Sequence, residues 1–304
     1  MFEVKRFDDW IEDDESGKFG SGASEKIWLI NPKSKEKGLL KFPKIKSNGD
    51  ITGEYYAEKL ASELALLLGI RCAKVDLGIY KGRKCSMSYN LVGTNELLNE
   101  GINYIQEKYP NYDRNEFIDV IENSKYNVQM LEKLNIKIND ILTMMIFDAL
   151  IGNSDRHHSN WGYIYHLDFK NGMYNYFCPL YDNGSSLCSY VNEEDINVIL
   201  KDRVRYNSLI DTKSKSCIGW DNERPIRHFE LLKKIKENYY DSTIKLVMNI
   251  RCNITENTVQ DILNKFDNDI ISIDRKKLLL KFIIDRRNKI VEIYNLSEEV
   301  INCE

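Results

Sequence analysis

Residues Gly152 to Gly162 read Gly-Asn-Ser-Asp-Arg-His-His-Ser-Asn-Trp-Gly. This segment directly follows apolar residues at helical spacing, which predict a buried helix over about 137–151. The segment is therefore expected to be a loop that the protein core holds in place. It contains Asp155 and Asn160, and a second acidic residue, Asp182, follows about twenty residues later in another polar turn.

An Asp, an Asn and a second Asp in this order suit phosphoryl transfer from a metal-bound nucleotide. Asp155 would orient and deprotonate an acceptor hydroxyl. Asn160 and Asp182 would hold Mg²⁺ against the phosphates, because carboxylate and amide oxygens are hard ligands. Two like charges about 4 Å apart repel by about 4 kcal/mol at an effective dielectric of about 20, so a divalent cation is needed between carboxylates and phosphates. His157 is predicted to support the loop rather than to bind metal.

Each of these residues is also a common turn former, which is the structural alternative. Their joint spacing, after a buried helix and on either side of a predicted hairpin, favours the chemical interpretation.

Two segments nearer the N-terminus have residues suited to binding nucleotide phosphates. Residues 19–26 read Phe-Gly-Ser-Gly-Ala-Ser-Glu-Lys, and small residues let backbone N–H groups approach phosphate oxygens, although a flexible turn is the alternative. Lys41 lies in the middle of a predicted strand, where a solvent-facing lysine would be ordinary. Its position before a helix that starts near Glu54 favours a phosphate-binding lysine, with Glu54 or Glu58 as its carboxylate partner. We favour Glu54.

Periodicity divides the rest of the chain into a strand-rich beginning and a helical remainder. The first ~90 residues predict the order strand, strand, helix, strand, strand, with the helix capped by Thr52 and ended by Gly69. The remaining predicted elements are a short helix around Phe117–Ile121, a hairpin of strands 163–167 and 174–177, and helices over about 226–250, 256–266 and 274–295.

Composition excludes several classes. The 304 residues carry a net charge of −4, so there is no basic surplus typical of a nucleic-acid binder. No apolar run reaches the roughly 20 residues of a membrane helix. The N-terminus is too acidic for a signal peptide. The seven cysteines are odd in number and form no Cys-x-x-Cys pair, which predicts free thiols in a reducing cytosol and no zinc site.

These segments resemble the HipA-like serine/threonine kinases, especially the compact form without an extra N-terminal domain. The Gly-Asn-x-Asp-Arg-His-x-x-Asn element is also similar to the catalytic loop of phosphoinositide lipid kinases. The segments that carry the resemblance, in the family's order, are Gly22-Ala23-Ser24-Glu25-Lys26, Leu40-Lys41-Phe42-Pro43, Glu54-Tyr55-Tyr56, Gly152 to Asn160, and Tyr181-Asp182.

The resemblance implies an α+β, two-lobed protein-kinase-like fold of the HipA and phosphoinositide-kinase branch. Residues 1–90 would form a small β-rich N-lobe, and residues 91–304 a mainly helical C-lobe. ATP·Mg²⁺ would lie between the lobes.

The resemblance also implies roles for single residues. Asp155 would be the catalytic base, Asn160 and Asp182 the Mg²⁺ ligands, and Lys41 a phosphate contact. Further ATP-binding residues would be the backbone of Gly20, Ser21, Gly22, Ala23 and Ser24 over the phosphates, and a hinge for adenine at Tyr89, Asn90 and Leu91. Some relatives autophosphorylate a serine in the Gly-rich loop; here that position holds Phe19, with Ser16, Ser21 and Ser24 nearby.

We therefore expect an ATP- and Mg²⁺-dependent serine/threonine protein kinase that is capable of autophosphorylation. It would act on a protein substrate as a cytoplasmic toxin or a secreted effector, with an antitoxin or a host protein as partner and with no nucleic acid or membrane. Two alternatives stay open: an inert kinase-fold module that binds nucleotide or a partner, and a lipid or small-molecule kinase.

Overall fold

The beginning of the chain forms a six-stranded sheet with the strand order β1-β5-β6-β4-β3-β2. The computed structural model describes residues 1–13, 25–168 and 172–296. β1 is parallel to β5, and the other neighbours are antiparallel. The strands are β1 Val4–Arg6, β2 Ile11–Glu12, β3 Lys26–Ile30, β4 Lys37–Lys41, β5 Val75–Tyr80 and β6 Arg83–Tyr89.

The four predicted strands of this region are confirmed as β3 to β6. The sequence analysis missed β1 and β2, because three and two residues are too short to show an alternating pattern. In the β3–β4 hairpin, Lys26 lies directly opposite Lys41. This register fixes the face of the sheet on which both lysines lie.

Helix α1, Glu54–Leu67, connects β4 to β5. Its predicted end is confirmed, since Gly69 follows it with φ of +64°. The predicted cap at Thr52 is wrong: the N-cap residue is Gly53, without a side-chain cap. The Thr52 hydroxyl donates instead to Oε2 of Glu54 at 2.6 Å.

The segment after β6 departs most from the predictions. The predicted helix around Phe117–Ile121 is wrong, because Phe117 has φ of +58° and the Asp119 carboxylate accepts from the backbone N–H of Ile121 and Glu122, which makes a turn. The elements found there are β7 Glu96–Glu100, α2 Gly101–Lys108, β8 Tyr112–Asp113, β9 Ile118–Asp119, β10 Ser124–Lys125 and α3 Val128–Glu132.

The remaining predicted elements are confirmed to within a few residues. β11 pairs with β12 on one side and with β7 on the other. The rest of the chain is α4 Ile138–Ile151, β11 Gly162–Asp168, β12 Gly172–Phe177, α5 Ile196–Lys201, α6 Arg203–Asn207, a π-helical turn Ser208–Thr212, β13 Lys215–Ser216, β14 Ile226–Arg227, α7 His228–Asn253, α8 Glu256–Asn264 and α9 Ile273–Ile293.

Two apolar clusters hold these elements together. The larger one joins α1 to α4, α7 and α9, through residues such as Leu60, Phe147, Phe229 and Leu279. The smaller one lies on the sheet and includes Leu40. Because α1 packs into the larger cluster, it ties the sheet to the helical part. A lobe boundary near residue 90 stays a prediction.

The predicted free thiols are confirmed for Cys72, Cys85, Cys178, Cys188 and Cys217. The prediction of a free thiol is wrong for Cys252, which is disulfide-bonded. Cys303 lies outside the described residues. Within the described part of the chain, no helix combines the length and the apolar character needed to cross a bilayer.

Candidate active site

The loop after α4 is held by the end of that helix. Gly152 ends α4 with φ of +69°, a conformation that favours glycine. The Asn153 side chain then donates to Oδ1 of Asp148 at 3.1 Å, and its own Oδ1 accepts from the backbone N–H of Asp155 at 3.0 Å. These hydrogen bonds fix the position of Asp155 relative to the end of α4.

Arg156 connects this loop to the loop that carries Asp182. Its guanidinium is 1% exposed and makes a two-pronged ion pair with Asp148, at 2.9 and 2.8 Å. The same group donates to the carbonyl oxygens of Asn160 and Tyr181 and to Oδ1 of Asn183. The sequence analysis gave Arg156 no role. The signal available was the buried acid Asp148 in the apolar stripe of α4, which requires a buried cation as partner.

Asn160 and His157 lie against the backbone of the same loop. The Asn160 side-chain nitrogen donates to the carbonyl oxygen of Asp155 at 2.8 Å. Its amide oxygen is therefore the atom that could bind a metal. Nδ1 of His157 accepts from the N–H of Ser159 at 3.2 Å, which agrees with a supporting role for this side chain.

Lys41 joins the sheet, α1 and the Asp182 loop. Its Nζ lies 2.7 Å from Oε1 of Glu58 and 2.9 Å from Oδ1 of Asp182. Glu58 is buried, and its second oxygen accepts from the backbone N–H of Asn183 at 3.0 Å. Glu58 is thus the partner of Lys41, and the preference for Glu54 was wrong. Glu58 lies one helical turn beyond Glu54, on the face of α1 that the protein buries.

Glu54 has other partners. It accepts from the backbone N–H of Lys44 at 3.1 Å and from the hydroxyl of Tyr190 at 2.7 Å. Its carboxylate also forms an ion pair with Nζ of Lys44 at 3.3 Å. Glu54 therefore links the start of α1 to the segment that follows Asp182.

Several predicted residues line one cavity between the sheet and the helical part. Asp155, His157, Lys41, Asp182 and Glu54 all contribute to its wall. The wall also contains residues to which the sequence analysis gave no role at this site, among them Lys26, Lys44 and Ser86.

The two aspartates of this cavity, Asp155 and Asp182, differ in their electrostatics. Burial favours the neutral form of Asp182, but attraction and a hydrogen bond from Lys41 outweigh burial and lower its pKa to about 2. Burial raises the pKa of Asp155; attraction to His157 opposes this, and repulsion from Asp182 adds to it. Burial also lowers the pKa of His157. One ionised carboxylate therefore lies beside a carboxylate with raised proton affinity, which suits a metal ligand beside a base.

The residues present fit a magnesium-bound nucleotide. In the described residues, no group of three or more His, Cys, Asp or Glu side chains could hold a metal alone. Mg²⁺ in phosphoryl-transfer sites usually takes only one or two protein carboxylates, with phosphates and water as the other ligands. Asp182 lines the cavity and would supply such a carboxylate, and Lys41 neutralises it there. Asn160 is buried and is not among the residues that line the cavity, but its amide oxygen could add a ligand from the same loop as Asp155.

The predicted phosphate cover, Gly20, Ser21, Gly22, Ala23 and Ser24, lies outside the described residues, as do Ser16 and Phe19.

The predicted adenine hinge lies at the end of β6. The backbone N–H groups of Tyr89 and Asn90 donate to the carbonyl oxygens of Lys74 and Lys37, so an adenine contact at these two residues would use their own carbonyl oxygens. The Tyr89 phenol donates to Asp76 at 2.7 Å. The hinge role of Tyr89, Asn90 and Leu91 stays a prediction.

Comparison with known proteins agrees with this geometry. No protein-family model matches the chain. Over 287 residues the chain is 24% identical to the serine/threonine-protein kinase CtkA of Helicobacter pylori, covering 90% of this chain and 83% of that protein. The crystal structure of the H. pylori proinflammatory kinase CtkA superposes with a TM-score of 0.79 at 19% identity, covering 98% of this chain and 100% of that one.

A second solved structure has a similar fold, with a lower TM-score. HipA of Shewanella oneidensis, from its toxin–antitoxin complex with HipB and operator DNA, superposes with a TM-score of 0.56 at 17% identity. The match covers 92% of this chain and 68% of HipA. These two superpositions confirm the α+β kinase fold. By sequence and by fold, the chain is therefore similar to CtkA and, more distantly, to HipA.

Proposed function

We propose that this enzyme transfers the γ-phosphoryl group of ATP, bound with Mg²⁺, to a serine or threonine hydroxyl of a protein. The observation that carries the proposal is the Lys41 ammonium group held between Glu58 and Asp182, on the cavity that Asp155 also lines. This arrangement supplies a phosphate-binding cation, a metal-binding carboxylate and a base in one place.

Each side chain has a distinct task in this proposal. When bound, Mg²⁺·ATP supplies the transferable phosphoryl group and neutralises the charge that develops on it. Asn160 and Asp182 would hold the metal, and Lys41 would contact the phosphates. A carboxylate oxygen of Asp155 would accept the proton of the acceptor hydroxyl. His157 and Arg156 would keep the loop in position.

The test compares Asp155→Asn with the wild type. The purified proteins are incubated with ATP and Mg²⁺, alone and with a cell lysate, and phosphorylated proteins are identified by mass spectrometry. We expect Asp155→Asn to lower phosphorylation by at least about 10²–10⁴-fold, because a general base contributes that much. Asp261→Asn is the matched control, since Asp261 is exposed on α8.

The outcomes separate the alternatives. If the wild type binds ATP but phosphorylates nothing, the chain is an inert binding module. If lipids or small molecules gain phosphate while proteins do not, the chain is a kinase of another substrate class. Phosphorylation that survives Asp155→Asn would exclude Asp155 as the base.

The cellular role is part of the proposal. The HipA match comes from a toxin–antitoxin complex, and CtkA is described as proinflammatory. We infer that the kinase acts either as a cytoplasmic toxin with a partner antitoxin or as an effector on a host protein, and that it autophosphorylates. Growth arrest on expression of the wild type, but not of Asp155→Asn, would support the toxin role.

A further inference from the structure

A second cavity, here called the α5–α6 cavity, adjoins the proposed ATP site. Its volume is about 730 Å³, which is within the usual range for ligand-binding pockets. Its wall combines the loop that carries Asp155, the chain that follows Asp182, and the segment of α5, α6 and the π-helical turn. Among the described residues, the wall includes none before Gly152, whereas the wall of the ATP site also includes residues of the sheet.

Shared residues join the α5–α6 cavity to the ATP site. Ser185 lines both cavities. The backbone N–H of Ser154, the residue before Asp155, donates to the carbonyl oxygen of Ser185 at 3.3 Å. Tyr190 lines the α5–α6 cavity, and its hydroxyl donates at 2.7 Å to Glu54 in the wall of the ATP site. Because an acceptor hydroxyl must come within hydrogen-bond reach of its base, we expect the neighbouring residues of the substrate to occupy adjoining space of this kind.

Apolar side chains in the wall of the α5–α6 cavity are only partly covered. Val204 of α6 is 78% exposed. Val191, Ile199 and Leu209 are half-buried, and all four residues line the cavity. Exposed apolar surface beside a cavity is typical of a binding site for an apolar group. The wall therefore suits an apolar side chain of a ligand.

The segment that forms much of this wall differs in charge from the rest of the chain. Residues 201–215 contain five Lys or Arg and two Asp, whereas the whole chain has a net charge of −4. Arg205 and Lys213 of this segment are exposed and line the cavity. Arg205 also pairs with Asp202 at 3.4 Å, but an exposed ion pair contributes little. Among the described residues of the wall, Asp195 is the acidic one, so positive charge is in excess and attracts acidic groups.

We propose that the α5–α6 cavity binds the segment of the protein substrate that flanks the acceptor Ser or Thr, and that it selects acidic residues and an apolar residue there. The inference rests on the proposed function, because it assumes that Asp155 serves a protein hydroxyl. Arg205 and Lys213 attract the acidic residues, and Val204 and Leu209 contact the apolar one. These side chains bind the substrate rather than the transferred group, so they act on KM for the substrate more than on kcat.

The first experiment determines which sites the enzyme modifies. Wild-type protein is incubated with Mg²⁺, ATP and a dephosphorylated cell lysate, and the modified Ser and Thr residues are located by mass spectrometry. We expect Asp and Glu to be enriched, and Lys and Arg to be depleted, next to the modified hydroxyls, compared with all Ser and Thr of the same proteins. An apolar residue should also recur at a fixed distance from the hydroxyl.

The second experiment measures kinetics on the most strongly modified protein, after its purification. We expect Lys213→Glu to raise KM for this substrate roughly three- to tenfold, since exposed charge pairs are individually weak, and to leave kcat unchanged. Arg205→Glu in addition should raise KM further, whereas Lys213→Arg should behave as the wild type. Added salt should reduce the difference, because it screens exposed charges. Lys234→Glu is the matched control, since Lys234 is exposed on α7 and does not line the cavity.

Binding of the fluorescent analogue mant-ATP and the Tm separate substrate selection from a structural role. Both should be the same in Lys213→Glu and in the wild type. Weaker mant-ATP binding together with a lowered Tm would assign Lys213 to the fold and overturn the inference. Modified sites without an acidic surplus, or an unchanged KM in Lys213→Glu, would also overturn the inference and leave the proposed function intact. Wild-type protein that modifies no other protein would overturn the proposed function itself.

Discussion

At the scale of single residues, Lys41 forms ion pairs with two carboxylates that are far apart in the chain. Glu58 comes from α1 and Asp182 from the loop after β12, and both lie within 3 Å of the same nitrogen atom. Glu58 also accepts from the backbone N–H of Asn183, so it positions both the lysine and the loop that carries Asp182.

We predict that Glu58→Gln lowers phosphorylation by roughly tenfold or more, because a hydrogen bond between charged groups contributes about 1.5–3 kcal/mol. The measurement is kcat/KM for ATP. Glu63→Gln is the control on the same helix, since Glu63 pairs only with Lys59 at 2.7 Å among the contacts the structure describes. Equal activity of both variants would contradict the assignment of Glu58.

The raised pKa of Asp155 predicts the acid side of the pH profile. A base must be deprotonated to accept a proton, so activity should fall as the pH drops through the pKa of Asp155. Because burial raises that pKa, the fall should begin above the value of about 3.9 for an ordinary aspartate. Asp182, with its pKa lowered to about 2, stays ionised in this range. The measurement is kcat/KM from about pH 4 to 8, with circular dichroism to confirm folding. A profile that stays flat down to pH 4 would count against Asp155 as the base.

At the scale of elements, the end of α4 decides where the loop that carries Asp155 begins. Gly152 and Gly69 each follow a helix, and their φ angles are similar, at +69° and +64°. A Cβ at Gly152 would meet Cζ of Phe282 at 2.8 Å, whereas a Cβ at Gly69 would meet nothing within 4 Å.

We predict that Gly69→Ala costs about 1–2 kcal/mol of stability, from the left-handed backbone alone. Gly152→Ala should cost more and should also lower kinase activity, because α9 or the loop must move. Urea unfolding and a kinase assay on both variants provide the measurement. Equal losses of stability, with activity intact in both, would show that the contact with Phe282 has no effect on the loop.

Arg156 joins α4, the loop that carries Asp155 and the loop that carries Asp182. We predict that Arg156→Met lowers stability by about 3–5 kcal/mol, because it leaves Asp148 buried without a counter-charge. Arg156→Met combined with Asp148→Leu should be more stable than Arg156→Met alone. Arg227→Met is the control and should cost less than about 1 kcal/mol, since its ion pairs are exposed. Unfolding in urea measures all three, and a double variant no more stable than the single one would contradict this account.

At the scale of the whole molecule, nucleotide binding should stabilise the fold through contacts from both sides of the cavity. A ligand at about 100 times its Kd adds about 2.7 kcal/mol to the free energy of unfolding. We therefore predict a rise in Tm with Mg²⁺ and ATP for the wild type and a much smaller rise for Lys41→Met. Lys33→Met is the control and should show the full rise, since Lys33 is exposed in the turn between β3 and β4. Differential scanning calorimetry provides the measurement, and a full rise in Lys41→Met would exclude Lys41 as a phosphate contact.

Much of the architecture follows from local patterns. The spacing of apolar residues predicted α1, α4 and the three long C-terminal helices, because each buries one face at a period of 3.6 residues. The segment between β6 and α3 could not be predicted in this way. Its strands are short, and the turn at Asp119 depends on side-chain bonds to the backbone.

The sequence alone determined which residue types carry the proposed chemistry, because the order and spacing of Asp155, Asn160 and Asp182 are visible without knowledge of the fold. Only the tertiary structure decided their partners. Glu58 rather than Glu54 meets Lys41, Arg156 joins two loops, and Lys26 lies beside Lys41, because such contacts depend on which face of a helix is buried and on how strands are paired. Those relations arise only when segments distant in the chain pack together.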